Sequence, residues 1–461
     1  MKEREKFGSR LGFILISAGC AIGLGNVWRF PWITGQYGGA AFVLIYLLFL
    51  LILGLPIMVM EFSVGRASQL SAARSFHALE PKGTKWHLYS YGAMLGNYML
   101  MAFYTTVGGW MLAYFYKMVK GEFVGVTPEY IGDSFDQMLS SPLYMGFWMV
   151  VTVVLCFAVC LKGLKNGVEK VNKVMMVCLL ALMVVLVFRA VTLDGAAEGL
   201  AFYLKPDFSK LYEAEGGLGE SIFAAMGQAF FTLSLGIGAL AIFGSYIDRD
   251  RSLTGEAVSI TILDTFVALM SGMIIFPACS AFGVDAGQGP ALIFVTLPNI
   301  FNQMMGGRLW GSLFFIFMSF AAFSTIIAVF ENIISFGMDL WGWSRKKTVA
   351  FNFVFILLIS IPCILGFNLW SGFSVPHIGN VQDLEDFIVS NNLLPLGSLV
   401  YLLFCTSRYG WGWKNFIGEA DAGDGLKFPK GKLMRIYVSW ILPAIVLVIF
   451  IVGYIQKFSA K

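Results

Sequence analysis

Residues 17–31 read SAGCAIGLGNVWRFP and lie inside the first hydrophobic segment of the chain. The stretch is apolar enough to enter a membrane, yet it has three glycines within seven residues, and each weakens a helix by about 1 kcal/mol relative to alanine. Pro31 lacks a backbone donor, and Arg29 is costly at membrane depth. Non-helical backbone at that depth is tolerated only where it is buried in protein or lines a watery cavity. We therefore predict a helix break over 21–25 that offers backbone carbonyls and amides to a ligand.

The composition is that of an integral membrane protein. Of the 461 residues, 58% are hydrophobic and only 13% are charged, and the mean hydropathy of +0.76 is far above that of soluble domains. Basic residues at 2, 4, 6 and 10 precede the first hydrophobic region, which continues without a small-residue cleavage site. We therefore expect no secretory signal peptide at this end of the sequence.

About 20 apolar residues span a hydrocarbon core, and by this measure the chain has eleven membrane-spanning segments, numbered one to eleven. They centre near 11–36, 39–65, 88–117, 143–161, 168–191, 218–247, 256–282, 309–340, 348–369, 389–406 and 435–456. The predicted fold class is an all-α integral membrane protein, with 1–461 forming a single transmembrane domain.

The distribution of basic residues predicts how the chain is oriented. The N-terminal tail and the alternate loops contain 23 Lys and Arg residues, and outside Arg29 the opposite side contains eight. By the positive-inside rule, the N-terminus is expected in the cytoplasm. With eleven segments, the C-terminus is expected outside.

Segment six repeats the features of segment one, since residues 227–238 read GQAFFTLSLGIG. The two segments are five spans apart, and an odd offset reverses direction, so 11–191 and 218–406 are predicted to be inverted repeats, with 435–456 as an additional helix. Glycines that only allow close helix packing are the alternative, but they explain two matched segments poorly. Paired glycine-interrupted segments at matching positions indicate a transporter binding site.

The cysteines and histidines do not indicate a metal or catalytic site in the sequence. The seven cysteines, Cys20, Cys156, Cys160, Cys178, Cys279, Cys363 and Cys405, lie in or beside apolar segments and are interpreted as free, buried thiols. Cys156 and Cys160 share a helix face but lack further ligands for a metal. His77, His87 and His377 are scattered over predicted loops, and no chemistry is assigned to them.

Motifs along nearly the whole chain carry a resemblance to a known family. They are Arg4 and Phe7, 23–31 (GLGNVWRFP), 38–42 (GGAAF), 56–61, 65–66, 162–163, 167–170, 205–208 (KPDF) and 231–236 (FTLSLG). On these motifs the chain resembles the neurotransmitter:sodium symporter family, in particular its bacterial amino-acid transporters with eleven transmembrane helices. The combination of 23–31 with 231–236 is highly specific, whereas either motif alone is weaker. The resemblance implies sodium-coupled symport by alternating access, with segments one and six broken.

Two sodium sites follow from the resemblance, and sodium, as a hard cation, prefers the oxygen ligands they contain. Site 1 comprises the Ala21 carbonyl, Asn26, Thr232, Asp264 and the substrate carboxylate. Site 2 comprises the carbonyls of Gly19, Ile22 and Ala321 and the hydroxyls of Ser324 and Thr325. For a single residue such as Asn26 or Ser324, an interhelical hydrogen bond is the plainer interpretation, and only the combination favours sodium.

Asp264 departs from the pattern of many family members, which have asparagine at this position, while animal relatives bind chloride nearby. A carboxylate here would neutralise sodium without a mobile anion and, once protonated, could carry a proton back. We therefore expect that chloride is not required, and proton antiport is a further hypothesis.

The resemblance also implies a substrate pocket between the two breaks. The substrate carboxylate would meet the positive end of the half helix that starts near Gly25 and the hydroxyl of Tyr104, and its ammonium would meet carbonyls around Ala21, Phe231, Thr232 and Ser234. The pocket is expected to be lined by Leu100, Tyr104, Phe231, Ile237, Thr325 and Val329. Such residues also pack any membrane core, but monoamine carriers have aspartate where this chain has Gly23. A neutral, hydrophobic or aromatic amino acid is therefore favoured over a biogenic amine.

Further side chains match the gates of the family. Arg29 and Asp386 resemble the outer gate, with Phe231 as lid and Gln228 orienting Arg29. The inner gate is matched by Arg4, Phe7, Tyr246 and Asp339, and Glu61 by resemblance holds the unwound backbone of segment six. Two departures are the missing twelfth helix and Val177, where many relatives have a proline that helps to open site 2 inward.

Three other classes of protein are weighed against a symporter. An ion channel would show filter loops or charged rings, and none is visible. A sensor that binds an amino acid without transporting it stays open. An enzyme is least supported, because the sequence shows neither a nucleophile with a base nor a metal cluster. The expected partners are an amino acid, sodium ions and the lipid bilayer of a bacterial plasma membrane, with no nucleic acid and no indication of the oligomeric state.

Overall fold

The computed structural model describes residues 9–214, 216–284 and 291–459. Within these ranges the chain is mostly helical. The same ranges contain two isolated β-bridges and no β-strand. This confirms the all-α prediction. Arg4 and Phe7, which were assigned to the inner gate, lie outside the described residues.

The helices agree closely with the predicted segments. Segment one comprises Arg10–Ala21 and Gly25–Gln36, and the others are Ala40–Ser68, Tyr89–Lys120, Pro142–Leu161, Leu164–Val191, Gly217–Thr232 with Ala239–Gly244, Leu253–Ala281, Gly307–Trp341, Arg345–Gly366, Val381–Thr406 and Lys432–Ile455. Short helices in the loops, such as Ala72–Leu79, Pro128–Ser140 and Trp413–Ala420, complete the fold.

In the described ranges, eight helices are long and apolar enough to cross a membrane, and nine if the bent halves of segment one count as one span. The predicted count of eleven is therefore not confirmed by this criterion. Segment six falls short because it is divided into two short helices. Segment three, Tyr89–Lys120, is helical throughout, but its tyrosines, glycines and threonines lower its hydropathy.

The break in segment one is confirmed at the predicted place. The first helix ends at Ala21, Ile22 is extended with ψ 99°, and the two halves are bent by 53°. Segment one packs against segments seven and eight. The free backbone groups of the break therefore face protein rather than lipid, as irregular backbone at membrane depth requires.

The break in segment six covers 233–238, between Thr232 and Ala239. Ser234, Gly236 and Gly238 have positive φ values of 51°, 91° and 72°. A Cβ on Gly236 would collide with the carbonyl of Leu394, so glycine is required both for the left-handed backbone and for the close approach.

Three side chains hold this unwound backbone. Glu61 accepts a hydrogen bond from the Gly236 N–H, and the Tyr89 hydroxyl donates to the Gly236 carbonyl. The amide of Asn97 donates to the Ile237 carbonyl over 2.8 Å. Glu61 thus contacts the unwound backbone of segment six, the partner that the chain's resemblance to the family implied. Because these polar groups are paired inside the protein, the break is tolerated at membrane depth.

Candidate functional site

A compact group of oxygen atoms lies where the first half of segment one ends against segment eight. The Ser324 hydroxyl is 3.2 Å from the Ile22 carbonyl and 2.9 Å from the Ala321 carbonyl. The Thr325 hydroxyl is 3.2 Å from the Gly19 carbonyl and 3.4 Å from that of Ile22. All five residues assigned to site 2 therefore come together in the protein interior. Uncharged hydroxyl and carbonyl oxygens of this kind suit a hard monovalent cation.

A second polar group surrounds Asp264 on segment seven. Its Oδ1 accepts from the Asn26 amide over 2.8 Å, its Oδ2 accepts from the Thr232 hydroxyl over 3.2 Å, and all three side chains are fully buried. The Gly23 N–H donates to Asn26 Oδ1 over 3.2 Å, which ties this group to the break. No basic side chain pairs with Asp264 among the described residues. A buried carboxylate without a cationic partner is costly, so this site is suited to a cation or a proton.

A narrow cavity with a volume of only about 10 Å³ lies between the two breaks. It is lined by Cys20, Ala21, Gly25, Leu100, Tyr104, Phe231, Ser234, Ile237, Thr325, Val389 and Leu394. Five of the six predicted lining residues are present, whereas Val329 is fully buried and does not line the cavity. The sequence reasoning missed Cys20, Val389 and Leu394. Segment ten contributes the last two, and no motif there had indicated a pocket.

Gly23 and Tyr104 shape one wall of this cavity. The Leu24 N–H donates to the Tyr104 hydroxyl oxygen over 2.7 Å, and the Tyr104 hydroxyl also contacts the Thr325 hydroxyl. A Cβ on Gly23 would overlap both the Tyr104 hydroxyl and the Thr325 hydroxyl. Glycine therefore allows these two hydroxyls to lie against the break, next to the positive N-terminal end of the half helix Gly25–Gln36.

Arg29, Ser390 and Asp386 form a chain of polar contacts next to Phe231, a residue of the cavity wall. The Arg29 guanidinium lies 4.5 Å from the centre of the Phe231 ring and donates to the Ser390 hydroxyl over 2.9 Å. Ser390 in turn donates to Asp386 Oδ1 over 2.6 Å, while the direct Arg29–Asp386 contact is longer, at 3.6 Å. Ser390 was missed, although it lies one helical turn after Asp386 and so on the same face.

Gln228 contacts a different group from the one predicted. Its amide donates to the Gly25 carbonyl over 2.8 Å, and no hydrogen bond joins it to Arg29 in the described chain. The expected role in orienting the Arg29 side chain is therefore corrected. Gln228 instead links segment six to the start of the half helix that carries Arg29.

Tyr246 and Asp339, which were assigned to the inner gate, contact separate partners. The Tyr246 hydroxyl donates to Glu331 over 3.2 Å, and Arg345 pairs with both Glu331 oxygens at 2.8 and 2.6 Å. Asp339 accepts from the Ser71 N–H over 2.7 Å. Glu331 and Arg345 were not predicted, because a buried carboxylate paired across two helices has no sequence motif.

Segment five borders the oxygen group of Ser324 and Thr325 through Asn172 rather than Val177. Val177 is exposed on the outer face of the helix. Asn172 is buried, both polar atoms of its amide lack a hydrogen-bond partner among the described residues, and its Nδ2 would lie 3.8 Å from a Cβ on Gly19. A polar side chain therefore stands beside this oxygen group on the helix where relatives have proline.

Two of the three histidines are not scattered, which corrects the sequence interpretation. His77 and His87 both contact Glu80, and their rings are 5.6 Å apart. Burial alone would raise the pKa of the Glu80 carboxyl, but hydrogen bonds from the His87 backbone and both imidazoles outweigh it and lower that pKa below its usual value. The seven cysteines are free in the described structure, and all except Cys178 are buried.

Comparison with known proteins agrees with this arrangement. A profile of the sodium:neurotransmitter symporter family matches residues 4–127 and 132–461. The chain is 34% identical to the uncharacterized sodium-dependent transporter YhdH of Bacillus subtilis strain 168, over 88% of each chain. It is 31% identical to an uncharacterized sodium-dependent transporter of Haemophilus influenzae, over 98% of each.

The crystal structure of MhsT in complex with L-phenylalanine superposes with a TM-score of 0.88 at 37% identity, covering 98% of this chain and 100% of MhsT. The family consists of transporters, so an enzyme is excluded, and sodium dependence follows from membership. The chain therefore belongs to the sodium:neurotransmitter symporter family, as a multi-pass membrane transporter.

Proposed function

We propose that the protein is a sodium-coupled symporter of neutral amino acids with hydrophobic or aromatic side chains. The observation that carries this proposal is the position of one cavity between two helix breaks, with a buried oxygen group on either side of the segment one break. A ligand in the cavity and cations in the oxygen groups would share residues of that break. Binding of one would thereby favour binding of the others.

The substrate is proposed to lie with its carboxylate toward Gly25 and the Tyr104 hydroxyl. Its ammonium then faces carbonyls of the breaks at Ala21 and around Phe231, and its side chain faces the apolar wall. Leu100, Ile237, Val389 and Leu394 form that wall. The phenylalanine complex of MhsT supports this class of substrate, and the absence of an acidic side chain at Gly23 argues against an amine without a carboxylate.

One sodium ion is proposed to bind at Ala21, Asn26, Thr232 and Asp264, completed by the substrate carboxylate. A second is proposed among Gly19, Ile22, Ala321, Ser324 and Thr325. Hydroxyls that now donate to carbonyls can turn their lone pairs to a cation. Because site 1 shares the substrate's carboxylate, sodium binding and amino-acid binding are coupled.

Access to the cavity is proposed to alternate between two gates. The Arg29–Ser390–Asp386 contacts close one side, and the region of Tyr246 and Asp339 closes the other. Partly exposed ion pairs are weak, which allows a gate to open reversibly. Rocking of segments one, two, six and seven against the rest, as inverted repeats would permit, exchanges the open side. The N-terminus is proposed to be cytoplasmic, with the C-terminus outside.

Replacing chloride with gluconate is expected to leave transport unchanged. The Asp264 carboxylate already supplies a negative charge beside site 1, so no mobile anion is needed there. Initial rates of sodium-driven amino-acid uptake in proteoliposomes, measured in sodium chloride and in sodium gluconate, test this. Loss of most of the uptake in gluconate would refute chloride independence without affecting the assignment of sodium coupling.

The substrate class is tested by competition in the same proteoliposomes. Uptake of labelled L-phenylalanine is expected to be inhibited by hydrophobic and aromatic amino acids, and not by charged ones, because the cavity wall opposite the two breaks is apolar. Monoamines that lack a carboxylate are expected to compete poorly. Strong competition by acidic or basic amino acids, or by tryptamine, would contradict the proposed orientation.

A further inference from the structure

The loop between segments two and three brings together His77, Glu80 and His87. His77 is in the last turn of the helix Ala72–Leu79, and Glu80 is the residue that caps it. His87 follows in a short helical turn. Nδ1 of His77 is 3.2 Å from Glu80 Oε1, and Nδ1 of His87 is 2.6 Å from the same oxygen.

We propose that His77, Glu80 and His87 form a binding site for a zinc-like divalent cation, with a fourth coordination position open to water. Two imidazoles and one carboxylate are a ligand set that zinc uses when one position is left to solvent. No part of the proposed transport cycle uses these residues.

The geometry fits such an ion. The three ligand atoms lie within 4.8 Å of one another. Tetrahedral zinc with bonds of about 2.0–2.2 Å separates its ligand atoms by roughly 3.4 Å. The His77–Glu80 separation is already near this value, and the His87–Glu80 separation needs to widen by less than about 1 Å. Small rotations of the two imidazole rings provide this movement.

The carboxylate of Glu80 is already oriented for the ion. The His87 N–H donates to Oε2 over 3.1 Å, and the Thr84 hydroxyl also reaches Oε2. Oε1 is thereby directed at the two imidazoles. Hydrogen bonds that fix a ligating carboxylate in this way are a regular feature of metal sites.

Solvent can reach the three residues, and their charge favours a cation. The side chain of His77 is 66% exposed and that of His87 is 38% exposed, whereas Glu80 is 8% exposed beneath them. The Glu80 carboxylate supplies a negative charge to the cluster. An aqueous ion can therefore approach from outside the protein and bind without entering the membrane-spanning core.

The site joins the helix Ala72–Leu79 to the start of segment three, near the proposed inner-gate residue Asp339. The helix Ala72–Leu79 follows Ser71, whose N–H contacts Asp339, and Trp86 donates to the Tyr409 carbonyl over 2.7 Å. A bound ion would fasten the end of this helix to the start of segment three. It would therefore stiffen the loop on the side of the membrane that the basic residues predict to be cytoplasmic.

Zinc titration of the purified full-length protein, followed by competition with a chromophoric chelator, tests the proposal. One zinc ion per chain is expected, and His77→Ala and His87→Ala should each weaken binding at least about tenfold because each removes one of three ligands. His377→Ala is the matched control, since the chain has three histidines and His377 lies far from the cluster, beside Phe458. Zinc should also raise the melting temperature of the unaltered protein but not that of a double variant that combines His77→Ala with His87→Ala.

Melting temperatures in zinc-free buffer check that the variants fold. We expect them to change little, because the His77 side chain is mostly exposed and the His87 side chain is only partly buried. Stoichiometric zinc binding that persists in the double variant, or that is lost equally in His377→Ala, would overturn the proposal. So would the absence of saturable binding in the unaltered protein.

Discussion

Replacing Asn26 with alanine is expected to abolish sodium-dependent binding and uptake of the amino acid. The Asn26 side chain links the Gly23 N–H to the Asp264 carboxylate in a fully buried position. Its removal leaves the buried Gly23 N–H unsatisfied, at about 1–3 kcal/mol, and leaves the Asp264 carboxylate with the Thr232 hydroxyl as its remaining side-chain donor. It also deletes one proposed ligand of site 1. The affinity for sodium should fall at least about a hundredfold, given that 1.4 kcal/mol corresponds to tenfold.

A matched control separates the loss of a cation ligand from the loss of a buried amide. Asn352 is also fully buried and hydrogen-bonded, to Tyr98 and to the Thr348 carbonyl, but it lies on segment nine away from the cavity. Asn352→Ala should lower the melting temperature while retaining the sodium dependence of phenylalanine binding. Normal sodium affinity in Asn26→Ala would refute the site 1 assignment.

Replacing Gly23 with alanine is expected to reduce amino-acid affinity by between about fivefold and about 150-fold, since overpacking a filled site costs about 1–3 kcal/mol. The added Cβ would collide with the hydroxyls of Tyr104 and Thr325. One of these is proposed to bind the substrate carboxylate and the other to bind sodium at site 2. Both the substrate affinity and the sodium affinity should therefore fall together in equilibrium binding measurements.

Gly227→Ala provides the control for this change. Gly227 is a buried glycine in the first half of segment six, and a Cβ built on it meets nothing within 4 Å. This variant should bind phenylalanine and sodium like the unaltered protein. If Gly23→Ala also binds both normally, the hydroxyls of Tyr104 and Thr325 do not contribute to binding in the way proposed.

The helix breaks could be predicted because their residues conflict with a membrane helix. Glycines and Pro31 in an apolar stretch indicated a break in segment one, and the structure places it at 22–24, within the predicted 21–25. Glu61 stood out for a similar reason, as a lone carboxylate in an apolar helix, whereas its partner, the unwound backbone of segment six, was implied by the resemblance to the family. In both cases the signal is local, and the sequence displays it directly.

Other features depend on contacts between segments that are distant in the chain. Ser390 lies between Arg29 and Asp386, and Leu394 lines the cavity, yet neither differs from an ordinary helix residue in sequence. Gln228 was assigned to the wrong partner because the direction of a side chain depends on tertiary packing. His77 and His87 are ten residues apart. Only the conformation of the loop between them brings both imidazoles to Glu80.

The most direct test of the account is whether a sodium gradient drives accumulation of phenylalanine. Proteoliposomes with high sodium outside and low sodium inside are expected to concentrate labelled L-phenylalanine above its external concentration, and to release it when an ionophore dissipates the gradient. If phenylalanine only reaches equal concentrations inside and outside, with or without a sodium gradient, symport is contradicted. Sodium-dependent binding without accumulation would identify a sensor, and single-channel conductance steps would identify a channel.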